Sequence, residues 1–543
     1  MPYQGYDKLN VLVLDDFEGF RSTLSSMLET FGISRVDTAS NAEDALKACK
    51  TRYYDVILSD YNLGHGRTGL QLLEELRYRE IIKQTQAFIL ISAENSKQIV
   101  LAATDVEPDA YLSKPITAKA LQHRLDRILL QRRELRELFQ ALDKREIPAA
   151  IAVCRQHIEA RGHQSSLCQK HLGQLLLQMG ELDQAELVYQ SVLEVRPLEW
   201  AKLGMAQIKC LRGDLNTAER WYRELITANP LCLRAYDGLA EVYKELQDDE
   251  NLQKVLQDAV AVSPLALLRQ EQLAEIATSN CDFATSARAY RRVVRLADQS
   301  VYKSPEQNLA FARATLRLEE QDSKAAVELG RDALKKLVDL EADILDEDLQ
   351  LQAQLLQTQL YLQQKDSSRA ELSFEACQEM IDQATDSLSF EVEVEMVKTL
   401  RAISKEAEAK EKLDSLCSKY EDDEEKLEVL DSLLEEPKSA KNRKLVSRIN
   451  KEGIRHYQAK NFVQAVESFS YAKRLFPNHV GVQLNLVQVL LAEMEEFGCK
   501  QETLQTIEES LARVTHQIQA TNTQYNRFVQ LREMHKAMVR QLQ

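Results

Sequence analysis

Prolines recur at an almost constant interval in the middle of this chain, and this period constrains the fold more than any other feature. Pro197, Pro230 and Pro264 are 33 and 34 residues apart. Tyr189 and Tyr222 each lie eight residues before one of these prolines. A period of this length, with a recurring aromatic residue and recurring small residues, predicts stacked helix–turn–helix units. The small residues lie twenty-four, seventeen and twelve positions before the prolines, at Gly173, Ala206 and Ala240, at Gly180 and Gly213, and at Ala185 and Ala218.

The repeat resembles the tetratricopeptide repeat, a helix–turn–helix unit of about 34 residues that ends in a proline. Three copies in register and a fourth with Ser286 at its second small position cover 166–298. The resemblance implies an all-α solenoid, with repeats over 166–403 and 446–543 and a groove that binds segments of other proteins. A further copy in the second range contains Gly453, Ala465, Phe469, Ala472 and Pro477.

Residues 404–445, between these repeat regions, carry charge in blocks. Acidic residues dominate 421–436, and basic residues dominate 437–451. Block charge is typical of a solvated connection. We therefore expect 404–445 to be a charged helical break or linker, with an acidic binding element as the alternative.

Composition narrows the class of protein. The chain has only 16 glycines and 10 prolines among 543 residues, which predicts long helices and excludes a turn-rich all-β fold. Its net charge of −16 argues against nucleic-acid binding. Nine scattered cysteines with no C-x-x-C pair predict reduced thiols in the cytoplasm. No apolar run is long enough for a membrane span.

The first 130 residues follow a different pattern, in which short apolar runs alternate with amphipathic helical stretches. Strict alternation of this kind predicts a parallel sheet with helices on both faces. The fold expected for 1–130 is a doubly wound, flavodoxin-like α/β domain with five parallel strands in the order 2-1-3-4-5. A helical connector over 131–165 would lead into the repeats. The predicted strands are Asn10–Leu14, Arg35–Thr38, Asp55–Ser59, Phe88–Ser92 and Ala110–Leu112.

Polar residues follow four of these strands where each one ends. They are Asp15 and Asp16, Asp60, Ser92 and Lys114. The carboxyl ends of parallel strands share one edge of the sheet, so three carboxylates meet there and repel one another unless a cation neutralises them. Oxygen ligands suit Mg²⁺, and a carboxylate beside such a cation can be a nucleophile towards phosphorus. Lys114 and Ser92 would then stabilise phosphoryl oxygens.

With these strand ends in order, residues 9–130 resemble the CheY-like receiver domain of bacterial two-component response regulators. The resemblance implies that Asp60 is the phospho-acceptor. It also implies a Mg²⁺ site formed by Asp15, Asp16, Asp60 and the backbone carbonyl of Asn62.

The same resemblance assigns the remaining conserved roles of such a site. Ser92 would be the switch hydroxyl, and Tyr111 the aromatic side chain that follows its movement. Lys114 would bind the phosphoryl group and precede a cis proline, Pro115. Asn62 and Glu94 occupy the two positions that tune the lifetime of the phosphoryl group in this family.

One departure from the family pattern lies in the loop after Asp60. Receivers commonly have a proline four residues after the acceptor and a glycine eight residues after it. This chain has Gly64 and Thr68 there, with Gly69 one position later. We therefore expect a one-residue insertion that changes the loop and leaves the chemistry in place.

The expected function is that of a cytoplasmic response regulator. A histidine kinase or a His-containing phosphotransfer protein would phosphorylate Asp60, and a protein partner would bind the groove of the repeats. The alternatives are a phosphate sink or relay that the repeats localise, a degenerate receiver, and an unrecognised enzymatic output. Apart from self-phosphorylation and self-dephosphorylation we expect no enzyme, no nucleic-acid partner and no membrane span, and homodimerisation stays open.

Overall fold

The protein is described here from a computed structural model. The structure describes residues 3–64, 66–93, 96–318, 323–341, 346–383, 387–498, 501–518 and 522–542. The chain divides into two compact units, Met1–Ala333 and Leu334–Gln543. Within the described ranges, none of the helices combines the length and the apolar character needed to cross a membrane.

The first unit begins with the five-stranded parallel sheet that the sequence predicts, in the order β2-β1-β3-β4-β5. Helices follow each strand, so the chain crosses back to start every new strand in the same direction. The strands are β1 Asn10–Leu14, β2 Arg35–Ala39, β3 Val56–Asp60, β4 Ala87–Ser92 and β5 Ala110–Ser113. The helices are α1 Glu18–Thr30, α2 Ala42–Thr51, α3 Gly69–Tyr78, α4 Lys97–Val106 and α5 Ala118–Glu134, after a short 3₁₀ helix at Tyr6–Lys8.

Apolar side chains cover both faces of this sheet, because alternate residues of each central strand point to opposite sides. On one face Val13, Leu58 and Ile89 pack with α1 and α5. On the other face Leu12 and Leu90 pack with α2, α3 and α4. The polar residues at the strand ends lie beyond this core, at one edge of the sheet.

Paired antiparallel helices follow the sheet domain within the first unit. The connector forms one such pair, and its apolar residues share a core with the first repeat helices, including Leu138, Cys154 and Leu172. The helices are α6 Arg136–Asp143, α7 Ile147–Glu159, α8 Ser165–Gln178, α9 Leu182–Val195, α10 Glu199–Leu211, α11 Leu215–Ala228, α12 Leu233–Glu245, α13 Asp249–Val262, α14 Leu267–Ser279, α15 Phe283–Ala297, α16 Pro305–Leu316 and α17 Ser323–Glu341.

The same turn joins the two helices of many pairs. Gly180 and Gly213 have positive φ angles of 76° and 77° two residues before α9 and α11 begin. Other pairs place a non-glycine residue in this left-handed conformation, at a modest steric cost. Those residues are Arg145, Gln247, Cys281, Lys365, Ser404 and Lys460, each two residues before a helix.

Each recurring aromatic residue fits into a notch made by glycines. The ring of Tyr189 lies so close to Gly173 and Gly204 that an added Cβ would lie 2.5 Å and 2.3 Å from it. Tyr222 occupies the same notch beside Gly238, at 2.3 Å. Gly204 and Gly238 belong to the helix of the following repeat, so the tyrosine joins one repeat to the next.

The second unit is also helical. Its first helices are paired as in the first unit. Its last three helices pack around a common apolar core. The helices are α18 Glu347–Gln363, α19 Ser367–Gln383, α20 Phe390–Ala402, α21 Glu406–Lys419, α22 Glu424–Asp431, α23 Ala440–Gln458, α24 Phe462–Leu475, α25 Val480–Phe497, α26 Gln501–Gln517 and α27 Tyr525–Leu542.

The charged segment 404–445 is packed rather than loose. Leu413, Leu427 and Leu430 are buried in one core together with residues of α20. Buried Asp431 accepts hydrogen bonds from the backbone amide of Lys438 at 2.6 Å and from the Ser439 hydroxyl at 2.5 Å, which fixes the connection to α23. The block charges therefore lie around a core of leucines that the charge count does not reveal.

Three of the predicted domain limits fall inside helices. Position 130 lies within α5, position 445 within α23 and position 166 within the first turn of α8. The limit at 403 lies between α20 and α21, which form one hairpin around Ser404. Composition shifts mark 130, 166 and 445 in the sequence, whereas the helices continue across these positions.

The glycine notch yields a stability prediction. Replacing Gly204 with Ala puts a methyl group into the Tyr189 ring, and overpacking of this kind costs about 1–3 kcal/mol. We expect a lower thermal midpoint for Gly204→Ala, measured by circular dichroism, and no change for Gly162→Ala, whose added Cβ has its nearest neighbour at 4.0 Å.

A second substitution tests the cause of that effect. In a Tyr189→Leu background the methyl group meets a smaller side chain. Gly204→Ala should therefore lower the thermal midpoint clearly less in this background than in the wild-type chain. Equal costs in the two backgrounds would show that the ring contact is not responsible.

Candidate functional site

Parallel strand pairing brings the polar residues of the strand ends together. Leu14 of β1 pairs with Ser59 of β3, so Asp15 and Asp60 follow side by side. Ser92 ends β4 and pairs with Ser113 of β5, directly before Lys114. The register of the sheet thus places these side chains at one edge, as the sequence predicts.

Three carboxylates form the centre of this site. One oxygen from each of Asp15, Asp16 and Asp60 can be chosen so that all three lie within 4.8 Å of one another. Asp15 and Asp60 are buried, with 1% and 6% of their surface exposed, while Asp16 faces solvent. The cluster is therefore open on the Asp16 side, where a small ion or a phosphoryl group can enter.

Lys114 bridges the two buried carboxylates. Its Nζ lies 2.7 Å from Asp15 Oδ2 and 3.1 Å from Asp60 Oδ2. The same Nζ lies 4.1 Å from the centre of the Phe20 ring, which favours a cation over its face. The peptide between Lys114 and Pro115 is cis, as predicted.

The pKa values of Asp60 and Lys114 reflect burial and the charges of their neighbours. Burial raises the pKa of Asp60 to about 6, even though the neighbouring Lys114 ammonium opposes this rise. Burial also opposes the charge of Lys114, but its bonds to Asp15 and Asp60 outweigh this and raise its pKa. One ammonium does not balance three carboxylates, so the donor set fits a hard divalent cation with oxygen ligands.

Hydrogen bonds with residues at the start of α1 hold Asp15 and Asp16 in place. Asp15 Oδ1 accepts a hydrogen bond from the Phe17 amide at 2.9 Å. The Arg21 guanidinium donates to the backbone carbonyls of Asp15 at 2.6 Å and Asp16 at 3.1 Å. Our sequence analysis missed Phe20 and Arg21, although α1 follows β1 so closely that its first turn has to face the strand ends.

The loop after Asp60 has one position where only glycine fits. A Cβ on Gly69 would lie 2.1 Å from the Asp60 carbonyl oxygen, so α3 begins against the end of β3. Thr68 caps this helix, because its hydroxyl accepts a hydrogen bond from the Gln71 amide at 3.2 Å. Glycine is therefore required at position 69, directly after the capping residue, while the one-residue insertion stays a prediction.

Gly64 and Asn62 shape the outer part of this loop. A Cβ on Gly64, whose φ is 76°, would lie 3.2 Å from Asp16 Oδ2. The Gly64 amide donates to the Asn62 side-chain oxygen at 3.2 Å. The loop backbone therefore passes next to the most exposed carboxylate of the cluster.

The predicted switch residues lie on neighbouring strands. Ser92 is buried, and its carbonyl accepts a hydrogen bond from the Lys114 amide at 2.8 Å. Tyr111 is half-buried and packs against the apolar core that includes Ala102 and Ala103 of α4. Glu94, predicted to tune lifetime, lies outside the described residues.

Comparisons with known proteins match both parts of the chain. Residues 11–126 match the family model described as response regulator receiver domain, and residues 171–197 match the one described as tetratricopeptide repeat. The chemotaxis protein CheY-3 of Vibrio cholerae is 28% identical over 120 residues, which cover 22% of this chain and 91% of that protein.

Two further proteins are similar to the same part of the chain. The chemotaxis protein CheY of Pseudomonas aeruginosa is 26% identical over 120 residues, which cover 22% of this chain and 95% of that protein. A solved structure of the chemotaxis response regulator CheY4 of Vibrio cholerae shares 26% identity, with a TM-score of 0.21, and the match covers 22% of this chain and 98% of that one. The N-terminal domain of this chain therefore belongs to the CheY-like receiver domains of response regulators, and helical repeats of the tetratricopeptide type follow it.

Proposed function

We propose that this protein is a response regulator in which phosphorylation of Asp60 controls protein binding by the repeats. The observation that carries the proposal is the bridge from Lys114 to the buried carboxylates Asp15 and Asp60, with Asp16 open to solvent. This arrangement has a nucleophile, a fixed cation and an entrance, which are the parts that phosphoryl transfer requires.

Asp60 would accept the phosphoryl group from a phosphohistidine of a histidine kinase or phosphotransfer protein. A carboxylate oxygen of Asp60 attacks phosphorus and forms the O–P bond, while the N–P bond breaks and its electron pair returns to the donor imidazole. Lys114, already 3.1 Å from Asp60, would stay beside the new phosphoryl oxygens and stabilise their charge.

Mg²⁺ would supply charge neutralisation at the same site. Asp15, Asp16 and Asp60 would hold it together with the backbone carbonyl of Asn62, whose loop passes next to Asp16 through Gly64. Oxygen ligands and an open side suit Mg²⁺, which keeps several waters.

The switch would act through the strands beside Asp60. Phosphoryl oxygens need donors, and the Ser92 hydroxyl and the Lys114 ammonium lie on the two neighbouring strand ends. Movement of Ser92 would let Tyr111 change its packing against α4, because Tyr111 contacts the core that contains Ala102 and Ala103. A switch of this kind commonly depends on one helix, here α4, that can pack in two alternative arrangements.

Asn62 and Glu94 would set how long the phosphoryl group survives. The output would be binding of a protein partner in the repeat groove, without an enzymatic output. Homodimerisation through the receiver stays compatible with this proposal. A phosphate sink that the repeats merely localise is the alternative, and the partner-binding experiment below distinguishes it from control of binding.

Substitution of the acceptor tests the proposal. We expect about one phosphoryl group per chain from acetyl phosphate with Mg²⁺, measured by phosphate-affinity electrophoresis, and none in Asp60→Asn. The isosteric amide keeps the shape of the site but is not a nucleophile. Glu43→Gln, an exposed change on α2, should leave the incorporation unchanged.

Partner binding distinguishes control from a sink. Affinity capture with the full chain should recover different partners with and without beryllofluoride and Mg²⁺, and Asp60→Asn should remove that difference. Labelling of Asp60 with identical capture in both states would favour the sink, and labelling of Asp60→Asn would contradict the assigned acceptor.

The cation site leads to a second prediction. Asp16→Asn removes one ligand and one repelling charge, so the Mg²⁺-free protein should melt at a higher temperature than wild type. The same variant should bind Mg²⁺ about 10–100-fold more weakly by calorimetry and lose most of the Mg²⁺-dependent rise in melting temperature.

Glu18→Gln is the matched control for this substitution. Glu18 is the first residue of α1 and lies two positions after Asp16. It is exposed and lies outside the cluster of three carboxylates. A similar loss of Mg²⁺ affinity in Glu18→Gln would mean that general charge, rather than ligation by Asp16, attracts the ion.

A further inference from the structure

The receiver contacts the repeats through the C-terminal end of α4. Asp105 of this helix accepts from Arg269 Nη1 of α14 at 2.8 Å and from the Ser263 hydroxyl at 3.1 Å. Two residues further, Glu107 forms an ion pair with Arg234 of α12. A short acidic segment of the receiver therefore binds two arginines of the repeats.

Aliphatic residues beside the two ion pairs pack against the receiver core. Val106, flanked by Asp105 and Glu107, is partly buried against the core formed with α3 and α4. Leu265, in the connection between α13 and α14, packs against the same core. In the segment 105–107 the two acids therefore contact the repeats, while Val106 packs against the receiver.

The arginines are connected to the groove of the repeats. Arg269 also forms a two-pronged pair with Asp237, with its Nε 2.7 Å from Oδ1 and its Nη2 2.8 Å from Oδ2. Asp237 and Arg234 both line a cleft of about 350 Å³ that extends along α8, α10 and α12 past Gln207 and Trp200.

Asp237 holds Arg269 independently of the receiver. The side chain of Arg269 is only 11% exposed, and its bonds to Asp237 would remain if Asp105 moved away. An arginine fixed in this way is ready for another carboxylate, since little side-chain freedom would be lost on binding. The pair formed by Glu107 and Arg234 is about half exposed on both sides, so its exchange for another acid costs little.

We propose that Arg234, Arg269 and Ser263 form a binding site for an acidic segment of a partner protein, in which two acids lie two positions apart. The receiver's own residues 105–107 occupy this site within the chain and compete with the partner. This inference rests on the proposed function only for its trigger, because α4 is the helix that Tyr111 contacts.

Competition within one chain is strong, because a tethered segment acts at a high effective concentration. An external acidic segment would therefore bind weakly until the receiver segment leaves. Because the external segment would bind through ion pairs with the arginines, we also expect its binding to weaken as the salt concentration rises.

The test uses the full chain and a fluorescein-labelled synthetic peptide with the sequence of residues 100–109. The triple variant Asp105→Asn/Val106→Ala/Glu107→Gln removes both charges of the internal segment and reduces the packing of Val106 against the receiver core. We expect this variant to bind the peptide at least tenfold more tightly than wild type, by fluorescence anisotropy.

Further variants identify the site. In the triple-variant background, Arg234→Gln should weaken peptide binding several-fold, and because Arg234 is exposed this change should not disturb folding. A peptide with Asn and Gln in place of its acids should not bind. Glu80→Gln, which removes a different receiver contact, the ion pair with Arg145, should leave binding at the wild-type level.

Equal peptide binding by wild type, the triple variant and its Arg234→Gln derivative would overturn the inference, as would equal binding of the neutral peptide. These comparisons use no phospho-donor, so they are independent of Asp60. Tighter binding by wild type after addition of beryllofluoride and Mg²⁺ would support phosphorylation as the trigger. No change on that addition would contradict the trigger alone, while the variants would still support the site.

Discussion

The receiver depends on one electrostatic constraint, the repulsion between carboxylates that the parallel sheet brings to a single edge. Two unit charges about 4 Å apart interact with about 4 kcal/mol at the effective dielectric near a protein surface. Lys114 relieves this for Asp15 and Asp60, yet burial still raises the pKa of Asp60 to about 6. The site is therefore under electrostatic stress that a divalent cation would relieve and a phosphoryl group would redistribute. Ser92 and Lys114, at the adjoining ends of β4 and β5, are the neighbours that would respond.

The stacking of the repeats depends on shape, since Tyr189 and Tyr222 fit notches that glycines leave open. Close packing of this kind makes the surface of the repeats rigid. The contact between Asp105 and Arg269 lies beside the cleft of the repeats, because Arg269 also holds Asp237, which lines that cleft. One arginine thus connects a receiver helix with this cleft.

The sequence predicted much of the receiver, because parallel strands of buried residues and their polar ends leave a direct pattern. The predicted strand limits agree with the structure to within one residue, and the order of the sheet is confirmed. The repeat hairpins beyond 300 were harder to recognise, because Lys365 and Ser404 replace glycine in the turn. Contacts such as that between Glu107 and Arg234 left no signal, since they join residues 127 positions apart through the fold alone. The packed core of 404–445 was hidden for another reason, because its leucines are scattered among a majority of charged residues.

Amide hydrogen exchange tests the central claim most directly, since it reports local opening in the intact chain. The account predicts that beryllofluoride with Mg²⁺ speeds exchange in the last turn of α4 and in the segment 263–269, and that Asp60→Asn shows no such change. Exchange in the tyrosine and glycine notches of the repeats should stay the same in both states. Unchanged exchange at α4 and at 263–269 in the wild-type chain, with beryllofluoride bound at Asp60, would contradict the account.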